Sequence, residues 1–321
     1  MRVALLGVGH WHAGFHAEAA VSAGAEIAAV WDEDAAIAAA FATRAGGHAV
    51  ATPQAAMAER PDLAVVLGRG PGAAVLLGQL LDHQVPLLVD KPLGLNEADV
   101  APLAERAARL GRFVTVALAN RVGPIPAELA TLREAGALGA ISHTQFRIIN
   151  GPPQRYRDWG VGWMLDPRQS GGGALRNLGL HGLDAFLILA GTQPVRVQHA
   201  AFGRGVHGVD VDEYALIVLR AEDGMIGLVE AGYTHADPRA GHFEWRVDAA
   251  DASLADNGAT LTVATPGAPP RVQPVVPTGR RYAAFMADAL ARVRDGRPPV
   301  VSLDDFRRAM ALADQAYAMA S

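Results

Sequence analysis

The chain contains no cysteine, which excludes disulfides, thiolate metal ligands and a cysteine nucleophile together. Lysine is almost absent as well. Of 28 Lys and Arg residues, only Lys91 is lysine, leaving 27 arginines. Arginine substitutes for lysine at most solvated positions, so a lysine that persists points to a need for a compact, tunable ammonium. Long apolar runs are also missing: none reaches the roughly 18 residues that span a bilayer. No basic cluster stands out, and the net charge is −5, so no nucleic-acid footprint is expected. The start, Met1 to Gly7, enters a strand pattern directly and lacks the features of a secretion signal. A cytoplasmic protein with a small-molecule substrate and no membrane partner is the expectation. What is abundant is apolar sequence, 50% of 321 residues, enough for two domains.

The first third alternates strands and helices. Val3–Leu6 reads as a buried strand running into Gly7-Val8-Gly9, followed by an alanine-rich helix over 13–23 and a second strand ending at Asp32. Gly7 suits the tight turn, and Gly9 allows the backbone to approach a pyrophosphate seated on the helix N-terminus. Asp32, 23 positions after Gly9 (32 minus 9), can accept hydrogen bonds from a ribose 2′-hydroxyl and repels a 2′-phosphate, so NAD is favoured over NADP. The third glycine of the fingerprint is replaced by His12. Further helix–strand pairs continue to residue 119. The pattern predicts a doubly wound parallel Rossmann sheet over 1–119.

Lys91 ends one of those strands, in Leu87-Leu88-Val89-Asp90-Lys91-Pro92. The carboxyl end of such a strand is where α/β folds bind ligands. His10, His12 and His16 cluster after the glycine turn. A metal site there is disfavoured, because a helix N-terminus that receives phosphate repels a cation. Contact with cofactor or substrate, or simple packing, is the reading kept, with His10, Trp11 and His12 beside the cofactor.

Residues 120–321 carry a second motif. A Pro-, Arg- and Trp-rich loop (151–167) precedes Ser170-Gly171-Gly172-Gly173, and from Ala174 apolar residues recur at helical spacing as far as Gly191. On that helix Asn177, His181 and Asp184 fall on one face. Buried polar groups left unpaired cost about 1–3 kcal/mol each, so the stripe needs a partner or a cavity. His181 is the natural general base. Strand signals over 195–264 and two closing helices predict an α+β domain with a large open, mixed or antiparallel sheet. Asn120, Arg121, Tyr156, Arg157, Trp159, Trp163 and Arg168 are candidate substrate contacts, suited to a sugar or carboxylated sugar; the tryptophans could equally pack the loop.

With these motifs in order, the sequence resembles the Gfo/Idh/MocA family along essentially its whole length. Gly7-Val8-Gly9 with Asp32 resembles the family's cofactor fingerprint, and Asp90-Lys91-Pro92 its Glu-Lys-Pro motif. Residues 171–184 resemble its Asp-x-x-x-His helix, and Asp295-Gly296-Arg297-Pro298-Pro299 with Val301-Ser302 its C-terminal signature. The resemblance implies a nicotinamide cofactor, oxidation of a sugar or cyclic polyol hydroxyl, catalytic positions at Lys91 and His181, and a homodimer or homotetramer. Asp90 and Lys91 would also neighbour the cofactor. The usual Asp of the helix motif is Asn177 here. That leaves three outcomes open: a slower or alkaline-shifted enzyme, a charge supplied by Asp184, or loss of dehydrogenase activity. A redox-neutral glycoside-cleaving enzyme and a non-catalytic NAD(H) sensor therefore stand beside the dehydrogenase.

Overall fold

The computed structural model describes residues 1–320. Six short strands form the first sheet: β1 (Arg2–Leu6), β2 (Glu26–Trp31), β3 (His48–Ala49), β4 (Leu63–Val66), β5 (Leu87–Val89) and β6 (Val114–Val116). Their order is β3-β2-β1-β4-β5-β6, and every pairing is parallel. Helices α1 (Ala13–Ser22), α2 (Ala35–Ala45), α3 (Pro53–Ala58), α4 (Pro71–Leu80) and α5 (Glu97–Arg109) make the crossovers. The central strands are Val-, Leu- and Ala-rich and fully buried, as strands covered by helices on both faces must be. The strand order reverses between β1 and β4, and ligands of such sheets bind at that switch point.

The second sheet is larger and mixed. Its strands are β7 (Ile141–Asn150), β8 (Val195–Gly203), β9 (Tyr214–Ala221), β10 (Ile226–Gly232), β11 (Gly241–Ala249), β12 (Ser253–Asp256), β13 (Thr260–Ala264) and β14 (Arg271–Pro274). They run in the order β14-β13-β12-β11-β7-β10-β9-β8. Only β7 and β10 pair in parallel; the other neighbours are antiparallel. Before it lies α6 (Pro124–Glu134). Strands β12 and β14 carried no sequence signal strong enough to predict them. The segment 151–167, expected to be loop, contains α7 (Gln154–Asp158) and a 3-10 turn, Gly162–Leu165, with α8 (Pro167–Ser170) at its end.

The His181 helix differs from its expected form. It opens as a π-helical turn, Leu175–Gly179, and continues as α9 (Leu180–Ala190). An inserted π turn rotates the residues on its N-terminal side relative to those on its C-terminal side, so simple counting by 3.6 misplaces Asn177 against His181. Gly191 closes the helix at φ 63°. Helix α9 lies close on the sheet: a Cβ on Gly182 would meet Val229 Cγ1 at 2.6 Å, and one on Gly227 would meet the Phe186 ring at 2.3 Å.

The chain divides into two compact units. The first comprises Met1–Ala119, Arg168–Gly171 and Tyr282–Arg308; the second comprises Asn120–Pro167, Gly172–Arg281 and Ala309–Ser321. Residues 168–171 and 282–308 are thus grouped with 1–119. From Tyr282 onward helix α10 (Arg281–Asp295) lies in this returning part of the chain, and α11 (Leu303–Met319) begins in it. Within the first unit the amide of Val116 donates to the Val301 carbonyl at 3.1 Å, so the C-terminal Asp295–Ser302 signature runs beside β6. Among the described residues no helix is long and apolar enough to cross a membrane.

Candidate active site

In the first unit, Gly7 follows β1 with φ +85° and donates its amide to the Trp31 carbonyl at 2.7 Å. A Cβ at Gly7 would lie 1.9 Å from the Leu67 carbonyl oxygen; only glycine fits. The Gly9 amide donates to Asp32 Oδ2 at 2.7 Å. Gly7, Gly9, His10, Asp32 and Arg69 line a groove of about 460 Å³ at the switch point. This glycine-floored, acid-ended cradle fits a dinucleotide: backbone where the pyrophosphate approaches and a carboxylate at the ribose end. Arg69 lines the same groove without having been predicted, because it follows β4 in a segment with no fingerprint spacing.

His12 occupies the third fingerprint position and is the N-cap residue of α1. Its Nδ1 lies 2.7 Å from Asp90 Oδ2, and His16 Nε2, one turn on, lies 2.9 Å from the same oxygen. The Lys91 amide donates to Asp90 Oδ1 at 2.7 Å. Asp90 is 1% exposed. Burial alone would raise its pKa, but the neighbouring His12 and His16 outweigh burial and hold the carboxyl well below the ordinary value. Burial lowers the pKa of His12, and that of His10 further, against the pull of Asp90. The Asp90 carboxylate is thus ionised at neutral pH and held by imidazole and backbone N–H groups. Tyr282, at the start of the returning segment, packs on this cluster, its hydroxyl 3.3 Å from His12 Nδ1 and its ring 5.3 Å edge-on from His16.

Lys91 is 3% exposed. Burial pushes its ammonium down to about 8, with Asp90 opposing, and its Nζ sits 5.7 Å from the Trp11 ring centroid. His10, His12 and Asp90 each offer a ligand atom within 4.8 Å of the others. The 2.7 Å His12–Asp90 separation is nonetheless that of a shared proton. Two ligands at about 2.0–2.1 Å from a tetrahedral zinc stand roughly 3.3 Å apart.

In the second unit the Asn177 amide donates to the hydroxyls of Tyr156 at 2.9 Å and Tyr233 at 3.0 Å, so both its hydrogens are used. Asp184 is 1% exposed and engaged by Arg121, Nη2 at 2.6 Å and Nε at 3.1 Å from both oxygens. The polar stripe read from the sequence therefore divides: Asn177 faces tyrosines and Asp184 faces Arg121, while His181 is half-buried between them in sequence. Asn120 is buried and accepts from Arg281 Nη1 at 3.1 Å, while Arg281 Nη2 donates to Asp256 at 2.6 Å. Tyr156 is buried, Trp163 is half-buried, and Arg157, Trp159 and Arg168 are exposed. Trp159 carries the Arg155 guanidinium 4.6 Å from its ring centroid.

Asp212 was not foreseen. Its carboxylate accepts from the Gly173 amide at 2.7 Å, the Leu175 amide at 2.9 Å and the Tyr317 hydroxyl at 2.8 Å. It caps the segment that leads to Asn177 and His181, satisfying amides that a helix start leaves open. The acidic run Asp210–Glu213 before β9 was its only sequence signal.

Residues 1–118 match the model described as "Oxidoreductase family, NAD-binding Rossmann fold", and residues 127–255 match the GFO/IDH/MocA C-terminal domain. Among curated relatives, a "Putative UDP-kanosamine synthase oxidoreductase subunit" of Amycolatopsis mediterranei is 27% identical over 88% of this chain and 87% of its own length. A trans-1,2-dihydrobenzene-1,2-diol dehydrogenase of Oryctolagus cuniculus is 30% identical over 48% of this chain and 44% of its own. Two solved structures share the fold. The UDP-N-acetylglucosamine 3-dehydrogenase of Acidithiobacillus ferrooxidans has TM-score 0.81 and 23% identity over 99% of this chain and 97% of its own. A levoglucosan dehydrogenase, solved with NADH and levoglucosan, has TM-score 0.86 and 16% identity over 100% and 97%. With a Rossmann unit whose switch point is built for a dinucleotide and family models matching both parts of the chain, the protein belongs to the Gfo/Idh/MocA family of NAD-binding oxidoreductases.

Proposed function

We propose that the protein is an NAD-dependent dehydrogenase that moves a hydride between nicotinamide and a hydroxyl-bearing carbon of a sugar, sugar acid or cyclic polyol. The observation that carries this is Lys91: buried, packed on Trp11 and close enough to the dinucleotide groove's His10 to act on its charge, with its ammonium lowered to about 8. A cation so desolvated is poised to donate a hydrogen bond to an oxygen on which negative charge develops, the kind of preorganised stabilisation worth most in a dry site. His181 takes the hydroxyl proton as general base. Asn177, tied to two tyrosine hydroxyls, orients and does not supply charge. Bound nicotinamide accepts or gives the hydride; the chain positions and polarises. The substrate panel includes nucleotide-linked as well as free sugars, because the relative matching most of the chain is named for a UDP-sugar synthase. Assembly as a homodimer or homotetramer through the open sheet belongs to the same proposal; a monomer by light scattering would refute that part.

Titration with NADH and NADPH, monitored by tryptophan fluorescence, is the first test. Tighter NADH binding is expected from Asp32; a preference for NADPH overturns the cofactor assignment. Once a substrate is found, Lys91→Met abolishes turnover, and full activity in that variant removes Lys91 from the mechanism.

A further inference from the structure

Two imidazole nitrogens on one carboxylate oxygen is an unusual use of histidine. His16 presents its Nε2–H to Asp90, since the other ring nitrogen, Nδ1, is buried with no hydrogen-bond partner among the described residues. His12 presents Nδ1–H to the same oxygen. The groups around the pair are His10 in the glycine turn, His12 and His16 on α1, Tyr282 on α10 and Lys91 itself. Both imidazoles favour the ionised form of Asp90 by donating to it, and neither adds the permanently charged fork by which a guanidinium cancels a carboxylate.

We propose that His12 and His16 are positioning residues for Lys91: two imidazoles that donate to one oxygen of Asp90 and keep a negative charge fixed in the residue before the lysine, which holds that lysine as an ammonium. His12 can take this part because it replaces the third fingerprint glycine, the departure that the sequence left unexplained. The inference rests on Lys91 being the group that polarises the substrate oxygen. Removing the donors leaves Asp90 buried and unassisted; burial then favours its neutral form, and the lysine loses the charge that opposes its own desolvation.

Because the chain has a single lysine, growth on lysine enriched in 13C at Cε gives one side-chain resonance, whose shift against pH reads Lys91 directly in the full-length protein. The wild type is expected to titrate near pH 8. Asp90→Asn and the His12→Leu/His16→Leu double variant are expected to lower that midpoint by roughly one unit or more. His12→Asn and His16→Gln, which return an amide N–H near the Nδ1 and Nε2 positions, are expected to restore it, and they serve as folded controls. Once a substrate is found, the alkaline limb of the kcat/KM profile moves with the same midpoint. A midpoint that stays near 8 in a folded leucine variant overturns the inference, as does one that stays there in Asp90→Asn. Failure of the polarising role reads differently: the resonance shifts as described while Lys91→Met remains active.

Discussion

Each unit buries one carboxylate beside its candidate catalytic side chain, and the two are treated in opposite ways. Asp184 receives the charged fork of Arg121, an ion pair in which a permanent cation meets the carboxylate. Asp90 receives only imidazole and backbone N–H groups, so it stays a net anion next to Lys91. The contrast bears on a question the sequence left open: a carboxylate forked by a guanidinium lends less charge to a neighbour than one held by imidazole and backbone N–H groups. Burial of a carboxylate tells little about its electrical effect; the partner's charge decides it.

That contrast can be broken most severely at Arg121. Arg121→Met strands Asp184 as an uncompensated buried charge and is expected to destabilise the protein by about 3–5 kcal/mol in urea unfolding. A loss under about 1 kcal/mol would mean that the pair is solvated and the comparison misdrawn. The next effect has the opposite sign. Lys91 has a folded-state pKa near 8, below its ordinary 10.5. Below pH 8 both folded and unfolded states carry the proton and the folded state bears the burial cost. Between 8 and 10.5 the unfolded chain binds more protons, so stability rises with pH through that window. Lys91→Met is therefore expected to be more stable than wild type at pH 7 by roughly 3 kcal/mol, with the gap closing by about pH 10.5. A gap that does not change with pH would show that the lysine is solvated.

The smallest effect is expected at Asn177→Asp. The Tyr156 and Tyr233 hydroxyls are also bonded to each other, so only part of their donor capacity can turn to the new carboxylate. A loss of about 1–3 kcal/mol is expected by thermal unfolding. A much larger loss would show that the tyrosine hydroxyls are already committed as donors elsewhere.

Much of this architecture can be read in the sequence, for a physical reason. The buried strands Val3–Leu6, Leu63–Val66 and Leu87–Val89 are short apolar runs between glycine- and acid-bearing turns, and those signals are local. Gly7, Gly9, Asp32 and Lys91 stand at strand ends, where position along the chain already implies position in the fold. The polar partners are a different matter. His12 and His16 reach Asp90 across 78 and 74 residues, and Tyr282 reaches His12 across 270. Asn177 finds Tyr156 and Tyr233 at 21 and 56. Nothing periodic encodes such meetings. Arg121 and Asn120 follow the last strand of the first sheet, but nothing in their local sequence announces their partners Asp184 and Arg281, 63 and 161 residues away. The π turn at Leu175–Gly179 escaped for the converse reason, since its sequence is as helical as any.

The carboxylate of Asp212 has a consequence in time as well as in space. The amides it caps, Gly173 and Leu175, lie 39 and 37 residues earlier in the chain, so the segment bearing His181 is anchored by a residue just before β9. Contacts of that sequence separation form late, after local helices and hairpins. During refolding, recovery of helical signal should therefore run ahead of recovery of activity. His181 then reaches its place only once β9 has docked, and a chain halted before that point carries the histidine without the means to aim it.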